Sequence, residues 1–191
     1  MPIANTTRGP AQRLLDTATK LFLREGIRAV GIDRILDEAA VARASLYHAY
    51  GSKDGLITAF LEDLDAKDRD AYTRAASRVS DPVERALLVF DAAATSAARR
   101  GYRGCPYLNA LTEFPDHRHP LAAVVRRHRA WMHGIWVEAL ATRPDEGRAA
   151  AIAHLTLLYD GGLAGSKFSR SPEPVRLART LAAAVLQEPG R

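Results

Sequence analysis

The side chains best suited to chemistry in this chain lie between residues 43 and 53, and the chemistry is hydrogen bonding to a nucleic acid. Arg43, Tyr47, His48 and Lys53 can all donate hydrogen bonds, and the stretch contains no Asp or Glu. An arginine can bind a guanine edge through two donors, whereas ammonium and hydroxyl groups bind phosphate oxygens. The composition of this stretch therefore indicates a surface that contacts DNA.

The elements that must position these residues are two short helices joined by a tight turn. Apolar side chains recur at spacings of three and four residues from Ile32 to Ala39, as expected for a helix with one buried face. An Ala-Val-Ala turn follows, and a second helix runs towards Gly51, which suits a left-handed cap. This is the layout of a helix-turn-helix, whose second helix enters the DNA major groove.

The composition of the whole chain permits DNA binding but does not prove it. The 191 residues carry a net charge of +5, with 47% hydrophobic and 26% charged residues, which is typical of a globular protein with a buried core. Residues 1–55 hold eight Lys or Arg and six Asp or Glu. Because the surplus is only two charges, affinity for DNA must come from the placement of charges and not from their total.

The compartment is predicted from cysteine content and hydropathy. Cys105 is the single cysteine of the sequence and cannot close an intrachain disulfide, which fits a reducing cytosol. The amino terminus lacks the apolar stretch of a signal peptide. No run of about 18 apolar residues predicts a membrane span. We therefore expect a cytoplasmic protein with no membrane partner.

Helical periodicity along the whole sequence predicts an all-α fold of about nine helices. No alternating apolar run bounded by turn residues predicts a strand. Glycine and proline mark the breaks between helices, at Gly26, Gly51, Gly101, Pro115 and Pro144. The pattern favours an N-terminal three-helix unit followed by a larger helical domain.

Residues 8–61 resemble the DNA-binding domain of the tetracycline-repressor-like (TetR) family of bacterial regulators. The resemblance is carried, at the family's spacing and without insertion, by Phe22, Gly26, Ile35, Ala39, Val41, Leu46, Tyr47, His48, Tyr50, Ser52, Lys53 and Leu56. Residues 104–110 also resemble a segment found in one branch of the family's variable domain. The resemblance implies a helix-turn-helix DNA-binding domain over residues 8–68 and a helical ligand-binding and dimerisation domain over residues 69–191.

Three positions around the turn depart from the family pattern. Gly31 stands where Thr or Ser commonly caps the second helix, and glycine is a weaker N-cap. Ala40 occupies the turn position usually held by Gly, and a positive φ there would cost about 1 kcal/mol. Ala42 replaces a small hydroxyl residue, which removes a cap and a potential phosphate contact.

The predicted DNA contacts divide into phosphate-binding and base-reading residues. Lys53 lies at the first turn of the fourth helix, where free N–H groups already attract an anion. Tyr47 is expected to donate to a phosphate, and Arg43 to Ser45 open the recognition helix and should read bases. Arg43 can equally bind a phosphate, which would carry no sequence information. The complete set is Arg8, Arg43, Ala44, Ser45, Tyr47, His48 and Lys53.

The resemblance implies that residues 69–191 bind a small organic effector and form a homodimer. Aromatic side chains with a few polar groups suit an apolar pocket, and the candidates are Phe90, Tyr102, Tyr107, Asn109, Phe114, Trp131, His154 and Tyr159. Stripes of apolar and small residues on the last two helices predict the dimer surface, with Leu155, Leu158, Gly162, Gly165, Leu177, Leu181 and Val185. Alternatively, the predicted ligand-binding residues and the predicted dimer residues pack inside a single chain.

The function expected from these features is that of a ligand-responsive transcriptional regulator. A repressor would be released from a near-palindromic double-stranded DNA operator when a small organic effector favours a dimer with wrongly spaced recognition helices. The fourth helix, through Leu61 and Leu64, is expected to transmit the effect of the ligand to the DNA-binding domain. Repression is the commoner role in the family that the chain resembles.

Other classes of function stay open. The sequence contains no Gly-rich phosphate loop, no His-Glu-x-x-His pair and no Gly-x-Ser-x-Gly elbow, so we expect no enzyme activity and no cofactor. The Asp and His residues of the 116–119 loop are a weak metal candidate. Cys105 lies close in sequence to Arg103, which can favour a thiolate and a redox-sensing regulator. A dimeric helical small-molecule-binding or interaction protein that does not bind DNA is the remaining alternative.

Overall fold

The computed structural model describes residues 9–188, and within this range the chain forms nine α-helices and no strand, which confirms the all-α prediction. The helices are α1 (Pro10–Glu25), α2 (Ile32–Ala39), α3 (Arg43–Tyr50), α4 (Lys53–Ala76), α5 (Pro82–Ala97), α6 (Pro106–Glu113), α7 (Pro120–Ala139), α8 (Asp145–Ser169) and α9 (Glu173–Gln187). Across the same residues, none of these helices combines the length and the apolar character needed to cross a lipid bilayer.

Local sequence signals account for several helix ends. Gly26 ends α1 with φ of 99°, and its N–H donates to the Phe22 carbonyl. The Asp81 carboxylate accepts from the Val83 N–H at 2.9 Å and caps α5. Ser52 caps α4, since its Oγ accepts from the Gly55 N–H at 3.0 Å. These side chains satisfy N–H groups that the first turn of a helix leaves without partners.

The described residues divide into two compact units. The first unit comprises the chain up to Asp65 together with Pro106–Val125, and the second comprises Ala66–Cys105 together with the chain from Arg126 onwards. The first unit is therefore discontinuous in sequence. This geometric division differs from the predicted domains 8–68 and 69–191, because residues 106–125 group with the first unit; the functional assignment of those domains stays a prediction.

The core of the first unit has the composition expected of the helix-turn-helix motif. The inward faces of its first four helices are buried at Leu14, Ala18, Leu21, Phe22, Ile35, Leu36, Ala39, Leu46, Leu56, Ile57, Phe60 and Leu61. The rings of Phe22 and Phe60 meet edge to face at 5.4 Å. The apolar spacing from Ile32 to Ala39 therefore identified the inward face of α2, where Ile35, Leu36 and Ala39 are buried and Ile32 is half-buried.

In the second unit, α8 and α9 pack closely within one chain. A Cβ atom added to Gly162 would lie 3.0 Å from the Cβ of Ala178, and one added to Gly165 would lie 2.9 Å from the Cβ of Pro174. Leu155 is fully buried in the core of the unit. Leu155 and Gly162 are buried and Gly165 is half-buried, so all three pack within a single chain, and their part in a dimer stays a prediction.

Candidate nucleic-acid interface

The turn between α2 and α3 is built from backbone hydrogen bonds. Ala40 has φ of 51° and ψ of 53°, so the residue that replaces the usual glycine does adopt the left-handed conformation. Its N–H donates to the Asp37 carbonyl at 3.1 Å, and the Val41 N–H donates to the Leu36 carbonyl at 3.1 Å. Gly31 and Ala42 are extended N-caps without a side-chain cap. The turn therefore tolerates a strain of about 1 kcal/mol at Ala40.

Helix α3 presents one polar face while Leu46 anchors the other. Leu46 is fully buried, whereas Arg43, Ala44, Tyr47 and His48 are exposed, with 48% of Tyr47 accessible. Residues three to four positions apart lie on the same side of a helix, so these side chains form one surface. Ser45, the remaining predicted reader in the described residues, is half-buried.

Two contacts fix the ends of α3. The Tyr50 hydroxyl donates to the Ala11 carbonyl at 2.7 Å, which joins the end of α3 to α1. At the beginning of α3, the Nη2 atom of Arg43 donates to the Asp33 carboxylate in the first turn of α2. The predicted contact Arg8 lies outside the described residues.

Lys53 is the first residue of α4, as the sequence indicated. Its Nζ atom donates to the Ile27 carbonyl at 3.3 Å, and an ammonium group has three donors, so two hydrogens remain for a phosphate. Burial lowers the pKa of Lys53 below its usual value, and the charges of Asp54 and Glu113 oppose that shift. The side chain is thus held against the α1–α2 turn.

Glu113, at the end of α6, is a residue that the sequence gave no reason to select. Its two carboxylate oxygens accept from the N–H groups of Ile27, at 3.2 Å, and Arg28, at 2.6 Å. The Arg28 guanidinium also lies 5.1 Å from the centre of the Phe114 ring. Glu113 of α6 therefore holds the α1–α2 turn. The Arg28 N–H that it binds belongs to the same peptide unit as the Ile27 carbonyl that accepts from Lys53.

Gly55 is a second residue that sequence reasoning missed. A Cβ atom at this position would lie 1.9 Å from the Tyr50 carbonyl oxygen, far inside normal contact. The close approach joins the end of α3 to the first turn of α4. The only sequence signal was a glycine inside a helical pattern, which often marks a close packing contact.

Arg34 is committed to ion pairs inside the motif. It donates to the carboxylates of Glu25 and Glu38. Hydrogen bonds from Arg34, and then from Arg24, hold the pKa of Glu25 at about 2. This network lies on the exposed surface of α1 and α2 and does not involve α3.

Several of the predicted ligand-binding residues lie in the second unit with its aromatic cluster, which we define as Phe90, Trp136 and Tyr159. The Phe90 ring centre lies 5.4 Å from that of Tyr159 and 6.2 Å from that of Trp136. Trp131 packs against the same core and meets Tyr72 edge to face at 5.5 Å. Burial raises the pKa of Tyr159 and Tyr102, the latter to about 12, so both hydroxyls stay protonated donors at neutral pH.

The remaining predicted ligand residues have other surroundings. Tyr107, Asn109 and Phe114 belong to the first unit, where Phe114 packs against His119 at 4.9 Å between ring centres. His154 is exposed on α8. The hydroxyl of Tyr102 is buried and, like Thr19 Oγ1 and Arg85 Nε, has no hydrogen-bond partner among the described residues.

An exposed apolar face runs along α8 and α9. The α8–α9 face, as we call it, consists of Leu157, Gly161, Ala164, Phe168, Leu177 and Leu181. Leu157, Phe168 and Leu177 expose 71%, 93% and 62% of their surface. The predicted residues Leu158 and Val185 are instead half-buried against the core. Periodicity located the two helices, but it did not distinguish their inner face from their outer face.

The structure adds little support for the alternative metal site and redox site. Within residues 9–188, no three His, Cys, Asp or Glu side chains are grouped to hold a metal ion. Cys105 is half-buried and packs against the core of the second unit. Its redox role stays a prediction.

Known proteins share both the motif and the fold. Residues 14–60 match the model of the bacterial regulatory proteins of the tetR family. Over 76 residues the chain is 40% identical to the HTH-type transcriptional repressor KstR2 of Rhodococcus jostii, a match that covers 36% of this chain and 37% of that protein. KstR2 of Mycobacterium tuberculosis is 26% identical over 159 residues, which cover 81% of this chain and 75% of that protein.

A solved structure matches this chain over nearly its whole length. SCO4454, a TetR-family transcriptional regulator from Streptomyces coelicolor, is 37% identical with a TM-score of 0.84, and the match covers 93% of this chain and 95% of that chain. Helix-turn-helix geometry, sequence match and whole-chain similarity thus agree. The chain belongs to the TetR family of bacterial regulatory proteins and is a DNA-binding transcriptional regulator.

Proposed function

We propose that this regulator is a repressor that binds a near-palindromic double-stranded DNA operator as a homodimer and leaves it when a small organic effector binds. The observation that carries the proposal is the exposed polar face of α3 beside Lys53 at the start of α4. KstR2, one of the similar proteins, is itself a repressor. A protein that binds the bacterial chromosome acts in the cytoplasm, which is the proposed location.

The proposed DNA contacts follow from the exposure of each side chain. Tyr47 and Lys53 bind phosphates, since a hydroxyl and an ammonium group flank the exposed face of α3. Arg43 and Ala44 lie at the beginning of α3, the part of a recognition helix that reaches base edges. His48 lies four residues beyond Ala44 on the exposed face of α3, and it can contact a phosphate or a base edge there.

Replacing Lys53 with alanine is expected to weaken binding to every duplex, because the lost contact is to a phosphate. The slope of log affinity against log salt concentration should become shallower by about one unit. Fluorescence anisotropy with a duplex selected by the wild-type protein from a random library, and with an unrelated duplex, measures both quantities.

The Lys20→Ala variant is the matched control, because it removes the same charge from an exposed position on α1. It should leave the salt slope within a few tenths of the wild-type value. Equal slopes for Lys53→Ala and the wild-type protein would contradict the phosphate contact. Absence of salt-dependent binding by the wild-type protein would overturn the DNA-binding role altogether.

The α8–α9 face supports the proposed homodimer. Large exposed apolar side chains on one surface favour burial against a partner, and Gly161 and Ala164 would let two helices approach closely. A second copy is the occupant we propose, because a two-fold pair of recognition helices matches a near-palindromic operator. The interface thus combines the predicted residues Leu177 and Leu181 with Leu157 and Phe168.

The aromatic cluster of the second unit supports the proposed effector site. Phe90, Trp136 and Tyr159 supply apolar surface, Trp131 packs against the same core, and the buried Tyr102 hydroxyl has no hydrogen-bond partner within residues 9–188. A buried donor without a hydrogen bond is costly, so an effector with an acceptor oxygen would gain affinity there. We assign the effector to this cluster and leave His154, which is exposed, outside it.

The effector would act by shifting the population of two dimer states. Helix α4 is continuous from Lys53 to Ala76 and contributes residues to both compact units. It is therefore the element that we propose transmits the effect of the effector to the DNA-binding helices. Leu61, which is fully buried, ties α4 to the core of the first unit. DNA affinity can then fall only by the ratio of the effector's affinities for the two states.

Glu113 is expected to stabilise the DNA-binding unit through the α1–α2 turn. Glu113→Gln replaces one acceptor oxygen with an NH₂ group that faces a backbone N–H, and the cost should be about 1–2 kcal/mol in the free energy of unfolding. Urea denaturation followed by circular dichroism measures it, with Glu146→Gln, an exposed residue of α8, as the control. Unchanged stability of Glu113→Gln would show that the two N–H groups are equally well satisfied by water.

A further inference from the structure

Arg43, the proposed base reader, is held by an acid from the other helix of the motif. It is the first residue of α3, and its Nη2 atom donates to Oδ1 of Asp33 in the first turn of α2. The two side chains expose 52% and 79% of their surface. Helix α3 itself contains no acid, so the carboxylate at its beginning is supplied by α2.

The contact leaves Arg43 able to bind a base. A guanidinium group has five N–H donors in a rigid plane, and a single bond to one carboxylate oxygen uses one of them. A guanine edge needs two donors, directed at O6 and N7. Because Asp33 restrains the side chain before DNA arrives, Arg43 loses less rotamer freedom on binding.

The same contact makes a phosphate a poor partner for Arg43. A phosphate bound by this guanidinium would lie close to the Asp33 carboxylate, and the two like charges repel each other. A base edge carries no net charge and meets no such repulsion. An arginine paired with a carboxylate also releases few counterions when it meets DNA.

We propose that Asp33 is a positioning residue that directs Arg43 to a guanine edge and away from the DNA backbone, and thereby sets sequence selectivity. The inference rests on the proposed DNA-binding role of α3. The inference assigns a function to an acidic residue of the DNA-binding motif. Its negative charge alone would be expected to weaken DNA binding. Exposed ion pairs contribute little to folding, so Asp33 can be changed without loss of the fold.

The test compares Asp33→Asn with Asp37→Asn, which removes the same charge from an exposed position of α2. A duplex is first selected by the wild-type protein from a random double-stranded library, and each of its G·C pairs is then replaced in turn. Dissociation constants are measured for this set and for an unrelated duplex at several salt concentrations. Thermal melting confirms that each variant is folded.

For Asp33→Asn we expect tighter binding to the unrelated duplex, by about three- to tenfold at low salt, with a salt slope steeper by about one unit. Preference for one G·C pair, about five- to 100-fold in the wild-type protein, should largely disappear. Arg43→Lys should lose preference at the same pair, because lysine keeps the charge but lacks the two-donor plane.

Asp37→Asn should keep the wild-type base preference and raise affinity for all duplexes alike. If Asp33→Asn also keeps every base preference, the inference is overturned while the DNA-binding role stands. If the wild-type protein shows no salt-dependent binding and enriches no sequence, the proposed function fails and the inference fails with it.

Discussion

Replacing Gly55 with alanine is expected to disable DNA binding by displacing the recognition helix. The new Cβ would lie 1.9 Å from the Tyr50 carbonyl oxygen, and neither atom belongs to a flexible side chain that can turn away. The backbone between α3 and α4 must therefore shift. Overpacking of this kind costs about 1–3 kcal/mol, and occasionally more.

The shift should affect both stability and function, because the disturbed segment joins Tyr50 to Lys53. Urea denaturation should show a lower midpoint for Gly55→Ala, and anisotropy should show affinity for the selected duplex reduced by tenfold or more, the equivalent of about 1.4 kcal/mol. Gly134→Ala is the matched control, since a Cβ there meets nothing within 4 Å. Alanine in that helix should raise stability by up to about 1 kcal/mol.

The outcome that would contradict this account is a Gly55→Ala protein that melts and binds like the wild-type protein. That result would mean that the turn after α3 can open at no cost, and the close approach of α3 and α4 would have no role in the position of Lys53. A loss of stability without a loss of affinity would confine the role of Gly55 to folding.

Replacing Leu177 with glutamate is expected to separate the proposed dimer and to remove most of its operator affinity. Leu177 exposes 62% of its surface in the single chain, so a charge there leaves the fold of one copy intact. In an interface the same charge would be buried without a partner, which is strongly unfavourable. Loss of the second recognition helix should lower operator affinity by about 100-fold or more.

Analytical ultracentrifugation gives the mass of the particle, and anisotropy gives its affinity for the selected duplex. Val137→Glu is the control, because Val137 is exposed on α7 and lies outside the α8–α9 face. A Leu177→Glu protein that stays dimeric, with unchanged affinity, would place the interface elsewhere. A monomeric wild-type protein would show that the α8–α9 face has a different occupant.

Helix positions and the buried faces of the DNA-binding motif could be predicted from the sequence because they depend on local spacing. Leu14, Ala18 and Leu21 recur at helical intervals on α1 and are buried as expected. Caps such as Asp81 and Ser52 act within three residues of their own position. Such short-range effects are visible in the order of the residues.

Contacts between distant parts of the chain could not be predicted in this way. Glu113 binds N–H groups 85 and 86 residues away, and no periodicity connects these positions. Nor does periodicity separate the two sides of α8, since Leu155 and Leu157 are equally apolar but only the first is buried. The assignment of those sides depends on α9 and on the core of the unit, which are tertiary features.

The partnership between Glu113 and the α1–α2 turn has a consequence for protein synthesis. A ribosome adds about 5–20 residues per second, so the carboxylate emerges roughly 4–17 seconds after the Ile27 N–H that it will bind. During that interval the turn is hydrated, and the nascent motif lacks one of its stabilising contacts. More than half of the chain must therefore be translated before the DNA-binding motif reaches its final stability.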